Sequence, residues 1–260
     1  DIELCEPASP DTEKKLRVHI YHLLQTASHH SFDLDVGMPA RGWNGEAYRG
    51  HIFWDELFIF PFFSLRMPTL TRALLRYRYR RLDKAREAAR AAGYQGAMFP
   101  WQSGSDGREE TQRLHLNPIS GRWLPDNTHR QHHINSAIAY NVWQYHQVTG
   151  DHEFLYAYGA ELFIEIARFW ASIAELDPAL DRYVIRGVMG PDEYHTSYPG
   201  IPPEEHRGID DNAYTNVLAS WVLTRALEVI EMVPRNHRTH LCERIGLALS
   251  ETDRWDEISR

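Results

Sequence analysis

Seven helix-length stretches, joined mostly by very short turns, constrain this chain more than any other feature of its sequence. From Ser9 to about Ser28, Leu16, Val18, Ile20, Leu23 and Leu24 recur at helical spacing behind a Pro10-Asp11-Thr12 start. A second stretch runs from His51 to Leu65 and is punctuated by Met67-Pro68. The third, Leu70 to Ala92, stops at Gly93, the residue that a helix C-terminus favours. Two helices joined so tightly must lie as a hairpin. Residues 129–148 and 153–176 make a second hairpin across Thr149-Gly150-Asp151, and the last helices run from Asp211 to Met232 and from Arg235 to the end. Two long connections interrupt this pattern. One, residues 94–128, is polar and carries Gly104, Gly107, Pro118, Gly121 and Pro125. The other, Met189 to Asp210, follows a short β-rich piece from Tyr183 to Val188. Ordered loops of that length inside a compact domain are commonly functional. No side-chain period recurs, so the pattern is one of α-hairpins in a single all-α domain and not a simple solenoid.

Composition narrows the function classes. A net charge of −8 argues against a nucleic-acid binder and leaves small polar ligands as the better fit. The longest apolar stretch, Leu57 to Phe63, is broken by Pro61 and falls far short of a bilayer span, so no membrane partner is expected. The opening residues are acidic and polar, so no export signal is expected. Cys5 and Cys242 are too few for a disulfide framework, and a cytoplasmic setting follows.

Aromatic residues stand beside polar or acidic ones at Trp54-Asp55, Trp101-Gln102, Glu193-Tyr194 and near Trp123 and Asp126. A π face stacks on the C–H side of a sugar ring while a carboxylate accepts from its hydroxyls, although core packing is the commoner role for any single Trp. The most informative segment is Gly187-Val188-Met189-Gly190-Pro191-Asp192-Glu193-Tyr194-His195. Its Gly-Pro turn can display an acid against an aromatic wall, where apolar surroundings keep a general acid protonated. Spacing does not say whether Asp192 or Glu193 faces a substrate, and a capping role fits as well. His129, His132 and His133 have a metal-compatible spacing without HExxH or a following ligand, so no metal is expected. Asp210-Asp211-Asn212 reads as a helix cap. The Arg76-Tyr77-Arg78-Tyr79-Arg80-Arg81 run reads as a solvated helix face paired with Asp83 and Glu87. Phosphate-loop, dinucleotide and serine-hydrolase motifs are absent.

With these residues assembled, the sequence resembles the catalytic domain of glycoside hydrolase family 65, which includes the maltose, kojibiose and trehalose phosphorylases and their hydrolase relatives. The matching segments are Ala40-Arg41-Gly42 through Gly45-Glu46, and Tyr48-Arg49-Gly50-His51 with Phe53-Trp54-Asp55. Phe99-Pro100-Trp101 with Glu109-Glu110, Gly190 to His195, and Asp211 to Asn216 follow in the family's order. The resemblance implies an (α/α)6 barrel of six helical hairpins with its active site among the loops at one mouth. Seven helices against about twelve imply that residues 1–260 are part of that barrel, with the family's N-terminal β-sandwich and C-terminal barrel half absent. It implies Glu193 as general acid, Trp54 and Asp55 as holders of the non-reducing glucosyl unit, Trp101 lining that subsite and Tyr194 beside the acid. No cofactor is implied. The partners are a disaccharide and inorganic phosphate as co-substrate, and a homo-oligomer stays open. Glu56-Leu57-Phe58-Ile59 departs from the Thr-Glu-Ile-Phe of maltose phosphorylases, so no particular disaccharide is implied. The implied reaction is inverting phosphorolysis to β-glucose 1-phosphate and glucose, with inverting hydrolysis or a non-catalytic fragment as alternatives.

Overall fold

The computed structural model of the chain describes residues 10–42, 47–191 and 196–260. In chain order, α1 (Pro10–Thr26) is followed by α2 (Glu56–Arg66), α3 (Pro68–Arg80) and α4 (Leu82–Ala91). A polar loop containing the strand pair β1 (Leu114–Leu116) and β2 (Trp123–Pro125) leads to α5 (His133–Thr149). Next come α6 (His152–Phe154), a π-helical turn at Leu155–Gly159 and α7 (Ala160–Ile173). A second small strand pair, β3 (Glu175–Asp177) and β4 (Arg182–Val184), opens the loop that precedes α8 (Ala213–Met232), α9 (Arg235–Ile245) and α10 (Leu249–Ser259).

The expected hairpins form. Helix α2 packs on α3, and α5 packs on α7, with α5 also touching α2, α3 and α8 so that it lies at the centre of the helical layer. Its sequence explains the position. Ile134, Ala137, Ile138, Ala139 and Val142 are all buried, so α5 is apolar on more than one face and must be covered on several sides. Helix α7 is likewise enclosed, with Leu162, Phe163, Ile166, Phe169 and Trp170 buried against α8 and α10, where Trp255 closes the core.

Three expectations need correction. The stretch from Leu70 to Ala92 is two helices. It breaks at Arg81, whose guanidinium is drawn aside to Asp35 at 2.7 Å and to the Ser105 carbonyl. The final stretch from Arg235 is also two, separated at Gly246, which takes the left-handed conformation of a C-terminal cap. The Arg76–Arg81 run is not a solvated face. Tyr77 and Arg78 are buried, and Arg78 meets Glu56 in a fully buried ion pair at 2.9 Å that joins α3 to the first turn of α2. Sequence spacing offered Asp83 and Glu87 as partners, but these pair instead with Arg86 and Lys84. Among the described residues, no helix is long and apolar enough to cross a membrane.

Candidate active site

Trp54 and Asp55 stand at the start of α2, just before the buried pair. Arg78 Nη2 donates to the Phe53 carbonyl at 2.8 Å, and Glu56 Oε1 accepts from the Met38 amide at 3.4 Å, so the backbone on either side of Trp54-Asp55 is held from below. Asp55 occupies the N-cap position but makes no capping bond, which leaves its carboxylate for other partners. Burial pushes the Asp55 carboxyl above the ordinary aspartate value, opposed by a hydrogen bond from its own backbone amide and by the Arg41 cation.

Trp101 is brought to Trp54 by backbone pairing. Ile52 and Ser103 exchange hydrogen bonds at 3.1 and 2.9 Å, tying residues 101–103 alongside 52–54. Glu109 fixes the same segment, accepting from the amides of Trp101 at 2.7 Å, Gln102 at 3.1 Å and Thr111 at 3.1 Å. Gln102 then reaches His51 Nδ1 at 2.7 Å. The ring centroids of Trp54 and Trp101 are 6.0 Å apart.

His133, fully buried at the first turn of α5, sits between the two indoles, 4.8 Å from Trp54 and 5.2 Å from Trp101, and 5.5 Å from Tyr214 at the start of α8. Tyr214 in turn meets Trp54 edge to face at 6.3 Å. Burial drives His133 down to about 4, so it is neutral at physiological pH and packs as an aromatic; its Nε2 lies 3.1 Å from Gln131 Oε1. Sequence spacing grouped His133 with His129 and His132 as a metal candidate, yet His132 turns instead to Phe169 at 5.5 Å. Among the described residues, no group of three His, Cys, Asp or Glu side chains is placed to hold a metal ion. His133 stood out in the sequence only as a metal-spacing candidate, and neither it nor Tyr214 stood out as a member of an aromatic site. The only signal for Tyr214 was its place in the Asp211–Asn216 segment.

Glu193 and Tyr194, the expected acid and its neighbour, lie outside the described residues, as do Asp192 and His195. The chain on both sides of them is firmly held. Val188 and Ile209 pair through bonds of 3.0 and 2.8 Å, the Met189 amide donates to the Arg130 carbonyl at 3.1 Å, and the Gly208 amide donates to the Thr196 carbonyl at 3.0 Å. Gly208 has φ +84°, and a Cβ there would meet the Val188 carbonyl oxygen at 2.5 Å, so only glycine permits this closure. Asp210 and Asp211 brace the same loop by accepting from the amides of Gly187 and Ile185. Asn212 caps α8 by accepting from the Thr215 amide at 3.0 Å, as its position before an apolar helix predicts.

Aromatic rings gathered beside a half-buried carboxylate, in an all-α scaffold, make up the candidate site. Residues 17–260 match the glycosyl hydrolase family 65 central catalytic domain, and the chain belongs to that family. It is 59% identical over 245 residues to an uncharacterized glycosyl hydrolase of Mycobacterium tuberculosis, covering 94% of this chain and 18% of that protein. It is 47% identical to the trehalose 6-phosphate phosphorylase of Lactococcus lactis (88% of this chain, 29% of that one). To the kojibiose phosphorylase of Halothermothrix orenii it is 40% identical (98% and 32%). A solved structure assigned as a kojibiose phosphorylase from the human microbiome superposes with a TM-score of 0.72 at 22% identity, covering 97% of this chain and 37% of that one. That likeness and the helical layer agree with an all-α, barrel-type fold. The chain spans between 18% and 32% of the length of these curated relatives.

Proposed function

We propose that this chain is the glucosyl-binding and acid-bearing part of an inverting disaccharide phosphorylase, forming one portion of an (α/α)6 barrel. The observation that carries the reading is the convergence of Trp54, Trp101 and Tyr214 around His133, drawn from four separated segments of the chain, with Asp55 following Trp54 at the start of α2. The part-exposed Trp54 indole, backed by the buried Trp101, supplies an apolar wall for the C–H side of a glucosyl ring, and the Asp55 carboxylate accepts from its hydroxyls. Glu193 then protonates the glycosidic oxygen as the bond to the anomeric carbon breaks, with Tyr194 its neighbour in sequence. Phosphate attacks that carbon from the opposite face, and the products are β-glucose 1-phosphate and the released sugar. An anionic nucleophile needs no second carboxylate, whereas an attacking water would. The phosphorylase relatives favour phosphate as nucleophile and an α-glucoside, phosphorylated or not, as substrate. A cytoplasmic setting goes with a reaction that consumes inorganic phosphate and yields a sugar phosphate. Hydrolysis is the second reading, favoured by the glycosyl hydrolase relative.

The test is incubation with maltose, trehalose, trehalose 6-phosphate, kojibiose and nigerose, with and without inorganic phosphate, while glucose 1-phosphate and free glucose are quantified. Glucose 1-phosphate that forms only with phosphate supports the proposal. Glucose released without phosphate replaces it with hydrolysis, and no cleavage in either condition makes the chain a non-catalytic part. In an active preparation, Glu193→Gln should nearly abolish disaccharide cleavage and spare a glucosyl fluoride. Unchanged disaccharide turnover would remove Glu193 from the acid role.

A further inference from the structure

The turn that leads into Trp54 is strained. Tyr48, Arg49 and Gly50 take φ values of +62°, +52° and +73°, a run of left-handed residues in which only the glycine adopts that region freely. Such a backbone persists where its surroundings over-determine it, and here they do. The Tyr48 ring meets Phe53 edge to face at 5.0 Å, Arg49 Nη2 donates to the Glu110 carbonyl at 3.3 Å, and the His51 amide closes the turn on the Tyr48 carbonyl at 2.9 Å. The turn delivers His51, whose ring Nδ1 lies 2.7 Å from Gln102 Nε2. A carboxamide nitrogen only donates, so Nδ1 is the acceptor and the ring proton sits on Nε2 of His51.

Among the described residues, this is the side-chain hydrogen bond that runs directly between segments 51–55 and 99–103, beside the backbone pair of Ile52 with Ser103. The other anchors of the Trp101 segment come from elsewhere: Asn135 Oδ1 accepts from the Phe99 amide at 2.8 Å, and Glu109 accepts from the amides of Trp101 and Gln102. The described charged and titratable groups that face His51 are Arg49 on its own turn, Glu110 on the facing loop, and Asp35 and Tyr77 across a shared cavity of about 520 Å³. Asp35 is committed to Arg81 at 2.7 Å, and the Tyr77 hydroxyl to Ser103 Oγ and the Gly104 carbonyl, each at 2.8 Å. Burial and the Arg49 cation hold His51 below the ordinary histidine value, with Glu110 opposing them, so at neutral pH Nδ1 keeps its lone pair for Gln102. A second ring proton would turn that acceptor into a donor facing another donor.

We propose that His51 and Gln102 are positioning residues for the glucosyl platform: their bond fixes the Trp101 segment against the segment that carries Trp54 and Asp55, and the strained turn is retained because it delivers His51 to that bond. Both act through the placement of the two indoles, whose centroids are 6.0 Å apart. A binding surface works only when the groups behind it are themselves locked, so loss of the link weakens the hold on the sugar ring before it affects bond cleavage. The inference rests on the sugar-binding reading of the indoles, while the link itself belongs to the free chain and is measured there.

The test compares His51→Leu and Gln102→Leu, which remove the bond, with His51→Asn, whose Oδ1 offers an acceptor that does not titrate. The indole N–H resonances of Trp54 and Trp101, assigned by single Trp→Phe substitutions, report the platform without substrate. In the wild type both should shift as pH falls below the ordinary histidine value of 6.5, before His133 titrates at about 4. The leucine variants should show shifted resonances already at neutral pH and no such step; His51→Asn should keep the wild-type positions and also lose the step. In an active preparation, His51→Leu should raise KM for the disaccharide about tenfold with kcat little changed, the equivalent of one lost hydrogen bond, and His51→Asn should restore it. Circular dichroism checks folding, and if the leucine variants do not fold, the wild-type step and its loss in His51→Asn decide the matter. Unchanged indole resonances in a folded leucine variant, or a step that survives in His51→Asn, would overturn the inference whatever the chain cleaves. The expected shifts in a chain that cleaves no disaccharide would support the link and count against the disaccharide reading alone.

Discussion

Replacing Arg78 by Met tests how the platform for Trp54 and Asp55 is held. Arg78 and Glu56 are each about 1% exposed and meet at 2.9 Å, so removing the cation leaves a carboxylate enclosed with only the Met38 amide at 3.4 Å for compensation. Breaking a buried pair from one side costs roughly 3–5 kcal/mol. The Phe53 carbonyl also loses its donor at 2.8 Å, which belongs to the same loss because one guanidinium makes both contacts. A total near 4 kcal/mol should lower the melting temperature by roughly 8–16 °C for a domain of this size. Part of that deficit must depend on pH. Burial already raises the Glu56 carboxyl, and without Arg78 it rises further, so the Arg78→Met protein regains stability as pH falls and Glu56 is neutralised. The assay is urea unfolding followed by far-UV circular dichroism at neutral and mildly acidic pH, for Arg78→Met, Glu56→Leu and the double substitution. The double should cost far less than the sum of the singles, since an apolar pair of similar volume leaves no lone charge behind. Single losses below about 1 kcal/mol, a deficit that ignores pH, or strict additivity would refute the reasoning.

Three further outcomes follow from the same geometry. Gly208→Ala should separate the paired ends of the acid-bearing loop, because its Cβ falls 2.5 Å from the Val188 carbonyl oxygen. The expected result is a lowered kcat for disaccharide with the far-UV spectrum retained, and wild-type kcat in this variant would count against the clamp. Asp55→Asn should raise the melting temperature at neutral pH while weakening substrate binding. Burial disfavours its charged form, so the wild type gains the same stability as pH falls through the raised value; a destabilised Asn variant would contradict this. His133 titrates at about 4 in the folded chain against about 6.5 when unfolded, so stability is full above the unfolded value and falls as pH drops from there toward 4. His133→Phe should flatten that acid limb, and an unchanged pH profile of thermal unfolding would remove His133 from it.

The hairpins were legible because their signals are local: apolar spacing in α1, α5 and α7, Met67-Pro68 between α2 and α3, and Gly93 after α4. What escaped depends on distant partners. Nothing near Arg81 in sequence says that Asp35 and Ser105 will pull it out of a continuous helix, and nothing near Arg78 says that Glu56 waits for it inside the core. The Trp54-Asp55 pair and Trp101 were visible as aromatics beside polar groups, and the structure brings them together. His133 was not visible as their partner, because its neighbours in sequence, His129 and His132, suggested coordination while its neighbours in space are indoles.

The aromatic cluster also has a meaning for how the chain folds. Its rings come from positions 54, 101, 133 and 214, so the contacts among Trp54, Trp101, His133 and Tyr214 close loops as long as 160 residues. Closing such loops is slow compared with forming a single hairpin, and it places these rings among the late contacts of folding. A peptide carrying one or two of the segments would have helices but no such cluster. The environment of Trp54 and Trp101 therefore reports on the domain as a cooperative whole. Their near-UV signal should be lost together with the last protected amides of α5, not with the fraying of any one hairpin.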